Sequence, residues 1–239
     1  MSPSTLPAAP LPASREARLD RWLDGYVALG RALAEGRIPQ EAWREGMDRA
    51  FEALDLEALK ARIGFPARLA ERSGLAFRGC GEAFRALAVD GGPAEQGPEP
   101  ARRVITKLAW VLRGGCVPPH GHLNMVSSFL VLSGRFRVRQ YDKVGAGPGR
   151  LWIRPRLDEV QGPGAWSTVT DGARNVHWLT ALDDDASLFT TKVLELRPGA
   201  PYAGRIPLDL DRAEAEPDGT LRVPVVDARE VGAPGPLEG

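Results

Sequence analysis

Between residues 103 and 196 apolar side chains tend to recur at every second position, in short runs cut apart by glycine and proline. A strand sends successive side chains to opposite faces, so this alternation marks strands with one buried face. "RVITKLAWVL" (103–112), "SSFLVLSG" (127–134), "RFRVRQYD" (135–142), "RLWIRP" (150–155) and "SLFTTKVLEL" (187–196) all read this way. Gly134, "VGAGPG" and "GPG" supply the turns between them. Several short strands with frequent turns predict a mainly β architecture, a sandwich or barrel of the jelly-roll type. No internal repeat is visible.

The first part of the chain has a different period. Leu19, Trp22, Tyr26, Leu29 and Leu33 recur at steps of three and four, on one face of a helix. Ser14 can cap its start, with Glu16 favoured in the first turn, and Gly36 suits its end. Pro39 fits the first turn of a second helix bearing Trp43, Met47, Phe51 and Leu54, and Asp55 can cap a third carrying Leu56, Leu59 and Ile63. Pro66 and Gly74 read as breakers of the segment after the third helix. "DGGPAEQGPEP" (90–100) reads as a linker or long surface loop. The predicted organisation is a disordered Pro/Ala lead-in over 1–13, a helical segment with linker over 14–100, and a β domain over 101–239.

Charge and targeting signals narrow the function classes. Lys plus Arg total 31 and so do Asp plus Glu, so no global field directs the chain to nucleic acid or to an anionic membrane. The longest apolar run, "MVSSFLVL" (125–132), is too short to span a bilayer, and "MSPSTLPAAPLPAS" lacks the pattern of a secretory signal. Cys80 and Cys116 are too few for a disulfide framework and are expected as reduced thiols, with Cys116 in a structural, buried role. The expectation is a soluble cytoplasmic protein whose partners are small molecules, not nucleic acid or membrane; the oligomeric state is not legible.

The chain has only three histidines, and two of them flank one glycine in "PPHGHLNM" (118–125). If 120–122 is extended, His120 and His122 project to the same side and Gly121 leaves them room. The third, His177, lies on a separate expected strand in "DGARNVHWLTA". Any one of these alone is most simply an ordinary structural histidine. Together they read as one metal site, because neutral imidazoles suit zinc, copper, iron or nickel and leave positions open for substrate.

These residues carry a resemblance to the cupin superfamily. "GCVPPHGHLNMVSSFLVLSG" (115–134) resembles the first cupin motif, Gly then His-x-His and a closing Gly, and "GPGAWSTVTDGARNVH" (162–177) looks like the second. The first motif usually continues to a Glu, but that position falls near Val126 or Ser127 here. The missing carboxylate makes the site similar to three-histidine cupins, and most to thiol dioxygenases of the cysteamine dioxygenase and plant cysteine oxidase type. Gly134, Tyr141-Asp142, the "RNVHWLTA" element with Asn175, and "APY" with Tyr202 echo that family. Gly121 and Leu123-Asn124 depart from its usual Asp and Pro-Gly, and "FTTKVLEL" stands where it tends to carry an acidic residue.

The resemblance implies a cupin-type jelly roll with an α-helical N-terminal segment. It implies ferrous iron held by His120, His122 and His177, with zinc, nickel, manganese or copper as alternative metals. It further implies O2 and a small thiol or a peptide's N-terminal cysteine as reactants, giving a sulfinic acid. Tyr202 and Tyr141 are the candidates for orienting oxygen or substrate, and Asn175 for contacting substrate. Arg139 joins them because Arg135, Arg137 and Arg139 alternate on one strand face and could anchor an anion, although such a row is more often solvated. A non-catalytic metal- or small-molecule-binding cupin acting as a sensor and a three-histidine cupin dioxygenase cleaving C–C bonds are the competing functions, since one barrel hosts many chemistries.

Overall fold

The computed structural model describes residues 14–77, 80–87 and 103–227, so the lead-in at 1–13 and the Gly/Pro stretch at 90–100 lie outside the described residues. Helix α1 (Arg15–Ala34) starts at the expected cap: Ser14 Oγ accepts from the Ala17 amide at 3.1 Å. Gly36, at φ +71°, takes the left-handed position just past its end. Pro39 sits one residue earlier than expected, as the cap of α2 (Gln40–Glu52). Asp55 caps α3 (Leu56–Arg62), accepting from the Ala58 amide at 3.0 Å. Pro66 does not break the chain; it lies in the first turn of α4 (Phe65–Ala70), where a missing amide hydrogen removes no helical bond.

Two antiparallel sheets complete the fold. Their strands are β1 (Glu82–Ala86), β2 (Val104–Val111), β3 (Cys116–Leu123), β4 (Met125–Ser133), β5 (Phe136–Gly147), β6 (Arg150–Gln161), β7 (Trp166–Val169), β8 (Val176–Ala181), β9 (Ser187–Leu194), β10 (Ala203–Pro207), β11 (Glu214–Ala215) and β12 (Leu221–Pro224). One sheet has the order β1-β2-β9-β4-β7, the other β10-β3-β8-β5-β6-β12-β11. Neighbours in space are mostly distant in sequence, the crossing pattern of a jelly roll.

Alternation sorts the side chains into three apolar layers. Between the sheets, Phe129, Val131 and Leu188 of the first meet Phe136, Val138 and Leu179 of the second. The opposite face of the five-stranded sheet is covered by the helices, with Trp43, Met47 and Phe51 packed in one cluster with Trp110, Leu130 and Phe189. Trp22 stacks on Tyr26 at 4.8 Å between ring centroids, and the Tyr26 hydroxyl hydrogen-bonds Thr191 of β9. Asp48 of α2 accepts from Trp166 Nε1 at 3.2 Å and from Thr168 Oγ1 at 2.9 Å, tying the helical layer to β7. A third cluster, with Leu151, Ile153, Val176, Leu208 and Val223, covers the outer face of the seven-stranded sheet.

The cysteines correct one expectation. Cys80 and Cys116 are not free thiols but a disulfide, with Cα atoms 5.2 Å apart. The pairing of β1 with β2 returns Cys80 to the start of β3, where the Cys116 amide also donates to the Cys80 carbonyl at 2.7 Å. Spacing in the sequence does not show this approach. Gly115 allows it, since a Cβ there would stand 2.5 Å from the Cys80 carbonyl oxygen.

Candidate metal centre

β3 and β8 run side by side in the seven-stranded sheet, with His120 directly opposite His177. His122 lies two residues along β3, and the structure brings all three rings together in the interior. Ring centroids are 4.8 Å apart for His120 and His122, 4.4 Å for His120 and His177, and 5.1 Å for His122 and His177. One nitrogen from each lies within 4.8 Å of the others, a group able to hold a metal ion. Gly121 points the other way into tight packing: a Cβ there would meet Asn175 Oδ1 at 3.0 Å and Val176 at 3.2 Å.

The backbone sets the tautomers. His120 Nδ1 lies 2.8 Å from the Pro118 carbonyl oxygen and His122 Nδ1 lies 2.7 Å from that of Gly204. A carbonyl only accepts, so each Nδ1 carries the hydrogen and each Nε2 keeps its lone pair. His122 Nε2 and His177 Nδ1 are buried with no hydrogen-bond partner among the described residues. A buried ring nitrogen without a partner is costly in an empty protein and is what a metal ligand needs. The donor set therefore fits a metal, and it contains no carboxylate.

Electrostatics keep the rings neutral. Burial pushes His177 down to about 3, with the Lys192 and Arg205 charges adding to the shift. His120 and His122 are also held well below the usual histidine range, first by burial and then by their neighbours. His120 and His177 open on a narrow pocket of about 40 Å³, walled by Phe129, Ser127 and Thr190 and bordered by Phe84, Lys192 and Arg205, while His122 is fully buried beside them. No residue of the four helices lines it. The strand face resolves the position left between Val126 and Ser127: Val126 packs toward the helices, and Ser127 lines the pocket opposite Lys192 of β9.

The other expected site residues lie elsewhere. Asn175 is buried behind β3 as a clamp: its Oδ1 accepts from the His122 amide at 3.0 Å, and its Nδ2 donates to the carbonyls of His122 at 3.2 Å and Thr170 at 2.9 Å. It positions His122 and does not line the pocket. Arg139 and Tyr141 are corrected by the pleat. Gln140 between them faces His177, so both project from the outer face of the sheet. There Arg139 lies over the Trp178 ring at 4.2 Å and pairs with Asp158 at 3.5 Å, while Tyr141 packs in the outer apolar cluster. Tyr202 is 41% exposed beside Gly204, outside the pocket lining. Asn124 takes a left-handed turn at φ 60°, a conformation that Asn adopts more readily than most residues and glycine freely.

Sequence reasoning missed Lys192, Arg205 and Glu82. Lys192 carried a signal: in "SLFTTKVLEL" it alternates with Leu188 and Thr190, the side of the strand that faces the histidines. Glu82 and Arg205 carried none, because β1 and β10 are short and their approach to the pocket depends on sheet order.

No protein-family model and no curated protein matches this chain. Among solved structures, recombinant oxalate oxidase in complex with glycolate aligns at 19% identity over 50% of this chain and 54% of that one, with a TM-score of 0.34. KdgF from Halomonas sp. aligns at 15% identity over 49% of this chain and 83% of that one, with a TM-score of 0.35. The Schizosaccharomyces pombe Cnp3 cupin domain aligns at 14% identity over 47% and 64%, with a TM-score of 0.33. The match thus spans about half the length of the oxalate oxidase chain, and scores this low leave the chemistry to the geometry of the site. The protein is a mainly β fold of two antiparallel sheets in jelly-roll order with an α-helical N-terminal segment, and its interior holds a three-histidine group suited to a metal.

Proposed function

We propose that the protein is a non-haem iron(II) dioxygenase that converts a small thiol, R–SH, and O2 into the sulfinic acid R–SO2H. The observation that carries this reading is the donor set: three neutral imidazoles with lone pairs free and no carboxylate among them. Such a set leaves the charge of a divalent ion uncompensated, which favours an anionic, soft ligand such as a thiolate. When bound, the metal would supply a common meeting point for sulfur and oxygen, turning a bimolecular encounter into a local one. Dioxygen takes up all the electrons that sulfur gives, so no external reductant or organic cofactor enters the balance.

The chain's own residues prepare that meeting. The Pro118 and Gly204 carbonyls hold His120 and His122 in the tautomer that leaves the Nε2 lone pair free for a metal. Asn175 fixes the His122 backbone from behind, with Lys143 Nζ donating to the same His122 carbonyl at 3.1 Å. Phe129, Leu179 and Leu188 give the pocket dry walls that exclude water. The test is metal analysis of protein purified without oxygen, followed by oxygen uptake with cysteine, cysteamine and peptides bearing an N-terminal cysteine. Iron at about one per chain with thiol-dependent uptake is expected. Bound zinc, or bound iron with no uptake for any thiol, refutes the reading and leaves a binding role. His177→Ala should abolish metal binding with the fold kept; full metal occupancy in that variant would remove His177 from the site.

A further inference from the structure

The pocket holds two cations that the metal chemistry does not use. Lys192 of β9 and Arg205 of β10 reach the same small cavity as His120 and His177, one from each sheet. They differ in how they are compensated. Arg205 is matched by Glu82, with Nη1 to Oε1 at 2.6 Å and Nη2 to Oε2 at 2.9 Å, a two-pronged pair that cancels its charge. Lys192 forms no ion pair and no hydrogen bond among the described residues. Its cross-strand neighbours are Ser127 and Ile105, neither of them acidic. An ammonium with no direct partner beside a metal-binding group is unfavourable in the empty protein: burial and the nearby Arg205 and Lys107 charges act against it, and the Glu82 carboxylate, already paired with Arg205, offsets them only in part.

We infer that Lys192 is an anion receptor, and that the substrate carries a carboxylate in addition to the group that meets the metal. The inference rests on the reading of the three histidines as a metal site and narrows its substrate class. With the three imidazoles neutral and Glu82 offsetting Arg205, the pocket presents one net positive charge from its side chains, and a divalent metal would add two more. A thiolate that also bears a carboxylate brings two negative charges to that field. An aminothiol brings its ammonium against Lys192 and is disfavoured, as is a peptide whose cysteine amine enters the same space. The Arg205–Glu82 pair then acts as a neutral, hydrogen-bonded wall that holds β10 against β1 beside the receptor.

The experiment is calorimetry on iron(II)-loaded protein under argon, so that binding is read without turnover. The probes are 3-mercaptopropionate, which has thiol and carboxylate, cysteamine, which has thiol and ammonium, and propionate, which has carboxylate alone. In the wild type 3-mercaptopropionate should bind about 10- to 100-fold more tightly than cysteamine, the range expected for one charged hydrogen bond. Lys192→Met should reduce that preference to within about threefold, while Lys192→Arg keeps it. Equal binding of the two thiols by the wild type, or a preference undiminished in Lys192→Met, overturns the inference. Metal content and circular dichroism show that the variant is folded; should it not fold, competition in the wild type decides. There, propionate must displace 3-mercaptopropionate, and failure to compete overturns the receptor. Carboxylate binding that depends on Lys192 without any thiol oxidation would keep the receptor and defeat the dioxygenase reading. Thiol oxidation indifferent to the carboxylate would do the reverse.

Discussion

A receptor kept charged and unpaired for a ligand should weaken the fold that holds it, and Lys192 allows that cost to be measured. Burial, with the Arg205 and Lys107 charges adding to it and the Glu82 carboxylate opposing it in part, lowers the Lys192 ammonium from 10.5 to about 8. Near neutral pH the side chain is protonated both folded and unfolded, so the whole difference acts against folding. At 1.36 kcal/mol per unit this is about 3 kcal/mol, and solvent entering through the pocket mouth trims it to about 1–3 kcal/mol. Lys192→Met removes the charge while keeping most of the volume, so metal-free, ligand-free protein should be more stable by that amount. For a chain of this size the gain corresponds to a Tm higher by about 2–10 °C. The pH dependence gives the sign independently. Between about pH 8 and 10.5 the folded state has lost the lysine proton and the unfolded state still holds it, so wild-type stability should rise with pH there. The variant should lose this rise. Urea unfolding of both proteins at pH 7 and pH 10 decides: a variant less stable than wild type at pH 7, or equal slopes in alkali, would refute the argument that Lys192 is held charged at a cost.

The histidines set the acid side. In metal-free protein their folded pKa values lie below the unfolded value, so stability should fall as pH drops below about 6.5, by about 1.4 kcal/mol per pH unit for each ring still neutral, as read by urea unfolding. Asn175→Ala removes a buried three-bond clamp and should cost about 1–3 kcal/mol, with metal affinity about 10- to 100-fold weaker by competition with a chelator; unchanged affinity would mean that His122 holds its place unaided. Replacing both cysteines by alanine opens a cross-link spanning 36 residues and should cost about 4 kcal/mol by the loop-entropy relation, measured against the oxidised wild type.

Much of this was legible in the sequence, and the rest was hidden for physical reasons. Caps are local chemistry, so Ser14 and Asp55 marked their helices directly. Strand alternation put His120 and His122 on one side, and the shortage of histidines pointed to His177. Alternation says which residues share a face but not which face is inside. For that reason Arg139 and Tyr141 were correctly grouped with Arg137, yet their common side is the outer one. The decisive fact is that Gln140, not its neighbours, stands opposite His177. Asn175 was singled out by its place in a motif, while its work as a backbone clamp depends on the approach of β8 to β3. The Cys80–Cys116 bond and the Glu82–Arg205 pair depend on contacts between distant strands, which no local pattern encodes.

The two sheets divide the work of the site, and this bears on how its specificity can change. The seven-stranded sheet supplies all three imidazoles, the carbonyls that orient two of them and the clamp behind β3, a tightly coupled set in which one altered residue disturbs the rest. The five-stranded sheet faces it with Ser127, Phe129, Thr190 and Lys192, side chains that line the pocket without orienting any of the three imidazoles. Substitution on that sheet can alter the charge and shape offered to a substrate while leaving the metal ligands undisturbed. Lys192 and Ser127 are directly opposite one another on β9 and β4, so an acidic residue at 127 would stand beside the ammonium and neutralise it. Ser127→Glu should therefore weaken 3-mercaptopropionate relative to cysteamine as Lys192→Met does, by adding a charge instead of removing one. It would also place a carboxylate in the histidine pocket, so metal selectivity and thiol preference should shift together. A Ser127→Glu variant that changed neither would show that β4 and β9 are only packing walls, and that the charge of this pocket is read from the β10 side alone.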